Sequence, residues 1–113
     1  MSVPLPAAVL TRLHAIFGAA RVYTDPADCL SYGYDNSKRI AMPQAVVFAL
    51  SHDEVHALVM LCNEHRVPLV ARGRGTNTTG ATVPVAGGIV LSLERMSRIL
   101  RVAPGDRVIE CEA

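Results

Sequence analysis

The sequence has no run of lysines or arginines, no Cys-x-x-Cys pair, and no apolar stretch near the roughly 20 residues that a membrane-spanning helix requires. Each absence removes a class of function. A formal net charge of +1 without clustered basic residues offers no electrostatic footprint for a nucleic-acid backbone or an anionic membrane surface. Cys29, Cys62 and Cys111 are odd in number, far apart and without a neighbouring histidine pattern, so neither a disulfide framework nor a zinc site is indicated, and no metal is expected. All three read as reduced core thiols. Absent too is a basic region followed by a short apolar core and a small-residue cleavage site, which makes the cytoplasm the expected location.

What the chain does contain is apolar residues, 50% of its length, with 19% charged, the balance of a packed globular protein and not of a disordered tail. Its 113 residues set a ceiling of one domain. From Pro6 to Phe17, apolar side chains at Val9, Leu10, Leu13, Ile16 and Phe17 fall on one face of a leader helix that Gly18 stops. Asp25 to Arg39 holds no period for long and predicts a loop with one helical turn. The valine-rich run Ala45–Leu50, entered through Pro43, predicts a strand buried on both faces and parallel to a neighbour. Ser51 and Glu54 form a capping-box pattern opening a helix that places Val55, Leu58, Val59 and Cys62 on a buried stripe and ends at His65-Arg66. Val67–Ala71 predicts a second strand, so strand, helix and strand follow one another as in a right-handed crossover unit. Gly88–Leu93 predicts a third strand, and Ile99–Val102 with Val108–Cys111 a hairpin across Pro104-Gly105-Asp106. The fold class is therefore α/β (α+β), with an N-terminal helix, a β-α-β unit and a β-hairpin. Because the chain stops inside an alternating apolar segment, truncation is the expectation.

The segment Arg72-Gly73-Arg74-Gly75-Thr76-Asn77-Thr78-Thr79-Gly80 leaves the carboxyl end of a predicted parallel strand, where open α/β sheets hold their ligands. Its glycines permit positive-φ conformations that turn successive N–H groups into one concavity and let an oxyanion approach the backbone. Phosphate is the guest such a loop suits. A Rossmann Gly-x-Gly-x-x-Gly fails because Thr78 stands at the third glycine, and a Walker loop fails because Ala81 stands where the lysine belongs. A surface turn rich in glycine is the alternative reading of the loop by itself.

The run Val67 to Thr76, then Gly80, then Gly87 to Met96, closely resembles the pyrophosphate loop and following strand of the PCMH-type FAD-binding flavoproteins. The likeness extends from about Tyr34-Asp35-Asn36-Ser37 through Pro43 to Glu112, and is to the flavoprotein chain of glycolate oxidase, D-lactate dehydrogenases and D-2-hydroxyglutarate dehydrogenases. The resemblance implies that the chain is the front part of an FAD-binding domain, with the flavin-binding part at 43–113 behind the leader helix at 6–17. It implies FAD held by Arg72, Gly73, Arg74, Gly75, Thr76, Asn77 and Thr79, with Gly80 shaping the turn and Pro43 toward the adenine side. Some relatives attach flavin through a histidine in this loop; none lies between Arg66 and Ala113 here, so the FAD is expected to be non-covalent. The implied parent activity is oxidation of a small 2-hydroxy acid such as glycolate, D-lactate or 2-hydroxyglutarate, with the substrate residues beyond this chain and no catalytic residue within it. A flavin reductase of the cell-wall precursor type or an aryl-alcohol oxidase shares the same loop. The reading from another class is a non-catalytic fragment that folds without flavin and self-associates, a homodimer covering its apolar face.

Single residues add less. His14, His52, His56 and His65 lack metal-ligand partners, and helix-end or surface roles account for them. Arg72 and Arg74 suit a phosphate, although solvated arginines beside loops are common and backbone amides suffice, so Arg74 is expected to contribute weakly. Asp35, Tyr32 and Tyr34 either cover the sheet edge or lie on the surface.

Overall fold

The computed structural model describes residues 4–113. Helix α1 (Ala7–Phe17) starts after Pro6, whose φ of −54° suits an initial turn, and ends at Gly18, whose N–H donates to the His14 carbonyl. Its buried residues are Val9, Leu13 and Phe17, the stripe that the sequence spacing requires. Strand β1 (Val22–Tyr23) follows, then the single helical turn α2 (Pro26–Cys29), capped by the Asp25 carboxylate accepting from the Ala27 N–H at 2.8 Å.

Strand β2 (Ala45–Phe48) is buried along its whole length. On one face Ala45 and Val47 meet α1 together with Leu58 and Leu61; on the other, Val46 and Phe48 meet Cys29, Tyr23 and Tyr32. An uninterrupted apolar run is what such a two-sided strand needs. Leu50 is exposed, so the strand is shorter than its apolar run.

Helix α3 (His52–His65) is N-capped by Ser51, whose Oγ accepts from the Glu54 N–H at 3.3 Å. Glu54 reaches back one residue further than a capping box requires and accepts from the Leu50 N–H at 2.8 Å. Both its oxygens also accept from Arg21, at 2.7 and 2.6 Å, which fastens the helix start to the segment before β1. The buried stripe is Leu58, Leu61 and Cys62, with Val55 half-buried. Val59 does not belong to it, being 38% exposed, because α1 packs on the side where Leu61 sits.

Strands β3 (Leu69–Arg72) and β4 (Ile89–Ser92) complete a four-stranded sheet in the order β1-β2-β4-β3, with β4 parallel to both neighbours and β1 antiparallel to β2. The strand-helix-strand unit is therefore open in the middle: β4 inserts between β2 and β3, pairing Ala45 with Ile89 on one side and Leu69 with Ile89 on the other. Gly88 makes the insertion feasible. It has a φ of +76°, and a Cβ there would collide with the Pro68 carbonyl.

Strands β5 (Ile99–Ala103) and β6 (Val108–Cys111) form a separate antiparallel hairpin around the turn Pro104–Asp106. It contributes nothing to the core clusters, and Ile99, Leu100, Val102, Val108 and Ile109 are exposed. Cys111 lies on this hairpin and is exposed, so it is no core thiol, whereas Cys29 and Cys62 are buried.

Candidate functional site

The loop between β3 and β4 begins where β3 ends, at Arg72, and must return to the opposite end of the sheet because β4 is parallel to β3. Its first half is anchored to the 34–37 segment. Asn36 donates from its backbone N–H to the Asn77 carbonyl at 3.0 Å and from Nδ2 to the Thr76 carbonyl at 2.9 Å. Asn77 Nδ2 donates to Asp35 Oδ2 at 2.7 Å and to Thr79 Oγ1 at 3.3 Å, while Asn77 Oδ1 accepts from Thr82 Oγ1 at 3.3 Å. Asp35 is 5% exposed. Its Oδ1 accepts from the Ser37 N–H at 2.8 Å, an Asx turn that fixes the anchor itself. Hydrogen bonds from Ser37 hold the Asp35 carboxyl below the usual range, helped by Gly80 and Asn77 and opposed by burial, so it is a carboxylate at neutral pH.

Asn36 thus ties the loop down through its carbonyls and not through its N–H groups. Among the described residues, no group accepts from the backbone N–H of Gly73, Arg74, Gly75 or Thr76. Gly73, Arg74 and Thr76 are exposed and Gly75 half-buried. Gly75 takes a φ of +69°, and a Cβ there would overlap the Arg72 guanidinium. A cleft of about 200 Å³ beside the loop is lined by Ser31, Tyr32, Arg72, Gly73, Arg74 and Glu94. Undonated N–H groups, a backbone without side chains at Gly73 and Gly75, and two guanidinium groups form a donor set that suits an anion of diphosphate size.

Of the residues singled out from sequence, Arg72, Gly73, Arg74, Gly75, Thr76 and Asn77 lie together here. Thr79 is exposed, and its Oγ1 accepts from Asn77 Nδ2 and the Ala81 N–H, which leaves its O–H as a donor. Gly80 has a φ of +81° and sits against Ser37 and Arg39, a turn position. Pro43 is buried at the other end of β2, beside a depression of about 280 Å³ lined by Leu5, Leu10, Thr24, Pro26 and Met42. The four-residue depth of the sheet, about 13 Å at roughly 3.3 Å per residue, separates it from the loop. The tyrosines divide. Tyr32 packs edge-on against Phe48 with ring centroids 5.4 Å apart and donates from its hydroxyl to Glu94 at 2.9 Å, while Tyr34 is exposed but offers its carbonyl to Arg72. Burial first, and the Glu94 hydrogen bond second, push the Tyr32 hydroxyl up to about 12, so it stays protonated. The anchoring role of Asp35 and Asn36 has one sign in the sequence, the Asp-Asn-Ser run, since such residues favour Asx turns. Among the described residues no group of three or more His, Cys, Asp or Glu gathers as a metal site, and no helix is long and apolar enough to cross a membrane.

Comparison with known proteins agrees with this geometry. Residues 43–113 match the family model described as FAD binding domain. The chain is 43% identical over 74 residues to glycolate oxidase subunit GlcD of Bacillus subtilis (strain 168), covering 65% of this chain and 16% of that protein. It is 34% identical over 106 residues to D-2-hydroxyglutarate dehydrogenase of Stutzerimonas stutzeri (strain A1501), covering 93% of this chain and 23% of that protein. It thus spans less than a quarter of the length of these relatives. In fold it is similar to a solved alkyldihydroxyacetonephosphate synthase, with a TM-score of 0.80 at 23% identity over 93% of this chain and 22% of the other. A solved p-cresol methylhydroxylase gives a TM-score of 0.65 at 22% identity over 90% of this chain and 22% of the other. The fold is that of the PCMH-type FAD-binding domain, FAD is the cofactor of the matched family, and the chain belongs to the FAD binding domain family.

Proposed function

We propose that residues 43–113 are the flavin-binding part of a larger FAD-dependent oxidoreductase, and that the 72–77 loop holds the FAD diphosphate non-covalently. The observation that carries this is the set of undonated N–H groups at Gly73, Arg74, Gly75 and Thr76, in a loop that Asn36 anchors through the Thr76 and Asn77 carbonyls. The chain's own task is to bind and orient. The loop amides would donate hydrogen bonds to the diphosphate oxygens, the two arginines would supply positive charge, and the Asp35–Asn77 bond fixes the loop. When bound, FAD supplies a two-electron acceptor, and the relatives' names point to a small 2-hydroxy acid as the donor. The Pro43 depression is the candidate place for the adenine. A cytoplasmic setting suits the reduced, buried thiols of Cys29 and Cys62.

Titrating the purified chain with FAD while recording the visible spectrum tests this reading. A shifted flavin band, retained on gel filtration in unliganded buffer and lost in Gly75→Asp, supports it; an FAD spectrum unchanged by the protein overturns it.

One observation favours a second reading, a module that self-associates without flavin. Leu100, Val102 and Ile109 form an exposed apolar row on the hairpin. Sedimentation of the FAD-free chain separates the two: a tight dimer that FAD does not perturb favours the module.

A further inference from the structure

Arg72, the last residue of β3, is 7% exposed. Removing a cation from water is costly unless an opposite charge or good hydrogen bonds compensate. None of the ion pairs among the described residues includes Arg72. Its guanidinium instead donates to the Tyr34 carbonyl at 2.5 Å and the Arg74 carbonyl at 3.5 Å, and lies 5.5 Å from the Tyr32 ring centroid. Tyr32 is itself fixed by Glu94 and Phe48. On the loop side the guanidinium meets Gly75 so closely that one added carbon would overlap it. An aromatic ring and the loop backbone therefore enclose a charge that makes no ion pair among the described residues, in the cleft that Gly73, Arg74 and Glu94 also line.

We infer that Arg72 is the positioning residue of the diphosphate cradle: its guanidinium, fitted against Gly75, sets the conformation of the loop and leaves a positive charge behind it. The effect reaches the anion through the loop and not by contact. The identity of that anion rests on the FAD reading; the packing of Arg72 on Gly75 does not. Lysine cannot substitute, because a single ammonium offers no flat face to Tyr32 and no fork to span two carbonyls. Conversely, a side chain at 75 would need the Arg72 guanidinium to move out of its place as well as a left-handed backbone.

Two measurements on the full chain test this. Thermal unfolding without FAD is followed for Arg72→Ala, Gly75→Ala and the double variant. The double variant is expected to lose less than the sum of the two single losses, because the added carbon then enters vacated space and only the φ strain of position 75 remains; midpoint losses that simply add overturn the inference. FAD affinity is then compared across ionic strengths for the wild type, Arg72→Lys and Arg72→Met. Lysine is expected to weaken FAD at least tenfold while keeping the salt dependence, and methionine to lose both; wild-type affinity in Arg72→Lys overturns the inference. If the wild type takes no FAD, the FAD reading falls while the melting cycle still decides the role of Arg72. If the alanine variants do not fold, nuclear Overhauser contacts in the wild type decide instead. Contacts from the Arg72 Nε–H to the Tyr32 ring and the Gly75 Hα support the clamp, and their absence overturns it.

Discussion

Gly75 and Arg72 occupy one small volume, and neither position makes sense alone. A side chain at 75 would need both a left-handed backbone, which costs an L-residue roughly 1–2 kcal/mol, and the space that the guanidinium fills. Asp35 is the other residue on which the loop depends. Its folded carboxyl titrates below the ordinary 3.8, so the unfolded chain takes up the proton first as pH falls. The stability it contributes is complete above that value and is lost as pH drops toward the lowered folded one. Urea midpoints measured from pH 5 to 2.5 are expected to fall, and Asp35→Asn to flatten part of that slope; Glu54, held low first by its Arg21 hydrogen bond, accounts for another part. The cysteines give a further test. Burial, with Asp28 and Asp25 adding, pushes the Cys29 thiol up to about 11, and burial also raises Cys62, whereas Cys111 is exposed. Alkylation at pH 8, read by mass spectrometry, is expected to label Cys111 at least tenfold faster than the other two, since the thiolate is the reacting species.

At the scale of elements, the sheet depends on close approach at Gly88. Gly88→Ala is expected to cost at least about 2 kcal/mol in denaturant unfolding, as backbone strain and the Pro68 collision add. Phe48→Ala, which empties the face shared with Tyr23, Tyr32 and Val90, is expected to cost roughly 3–5 kcal/mol. Local chemistry made some elements readable in advance. Ser51 and Glu54 announce α3, and the apolar runs of β2 and β4 announce strands covered on both faces. What escaped depends on distant partners. Two residues are too few for β1 to show a period, and it exists because Val47 and Val46 pair with it. The insertion of β4 between β2 and β3 follows from Gly88, not from any pattern within the strands. Val59 and Leu61 both suit a helix stripe, and the position of α1 chooses between them. In the site, the glycine spacing was visible in the chain, but the anchor at Asp35 lies 42 residues from Asn77, beyond any local signal.

The whole molecule divides into a two-layered sheet with its loop and a hairpin that shares none of the core. The family match at 43–113 takes in β2, α3, β3, β4 and the hairpin but leaves out α1, β1 and α2, and the chain spans less than a quarter of the matched relatives. The hairpin is stabilised locally by an Arg101–Glu110 pair at 2.8 Å, an exposed contact of small value in salt, and by an Arg98–Glu112 pair at 2.6 Å whose carboxylate side chain is mostly buried, and two strands alone are marginal in water. Amide exchange is therefore expected to be faster in β5 and β6 than in β2 and β4. If the 72–77 loop seats the FAD diphosphate, amide resonances followed during an FAD titration will register it. Saturating shifts of the Gly73, Arg74, Gly75 and Thr76 amides, with the hairpin amides unmoved, are the expected result; saturable binding that leaves these four unshifted, or no binding at all, would contradict it.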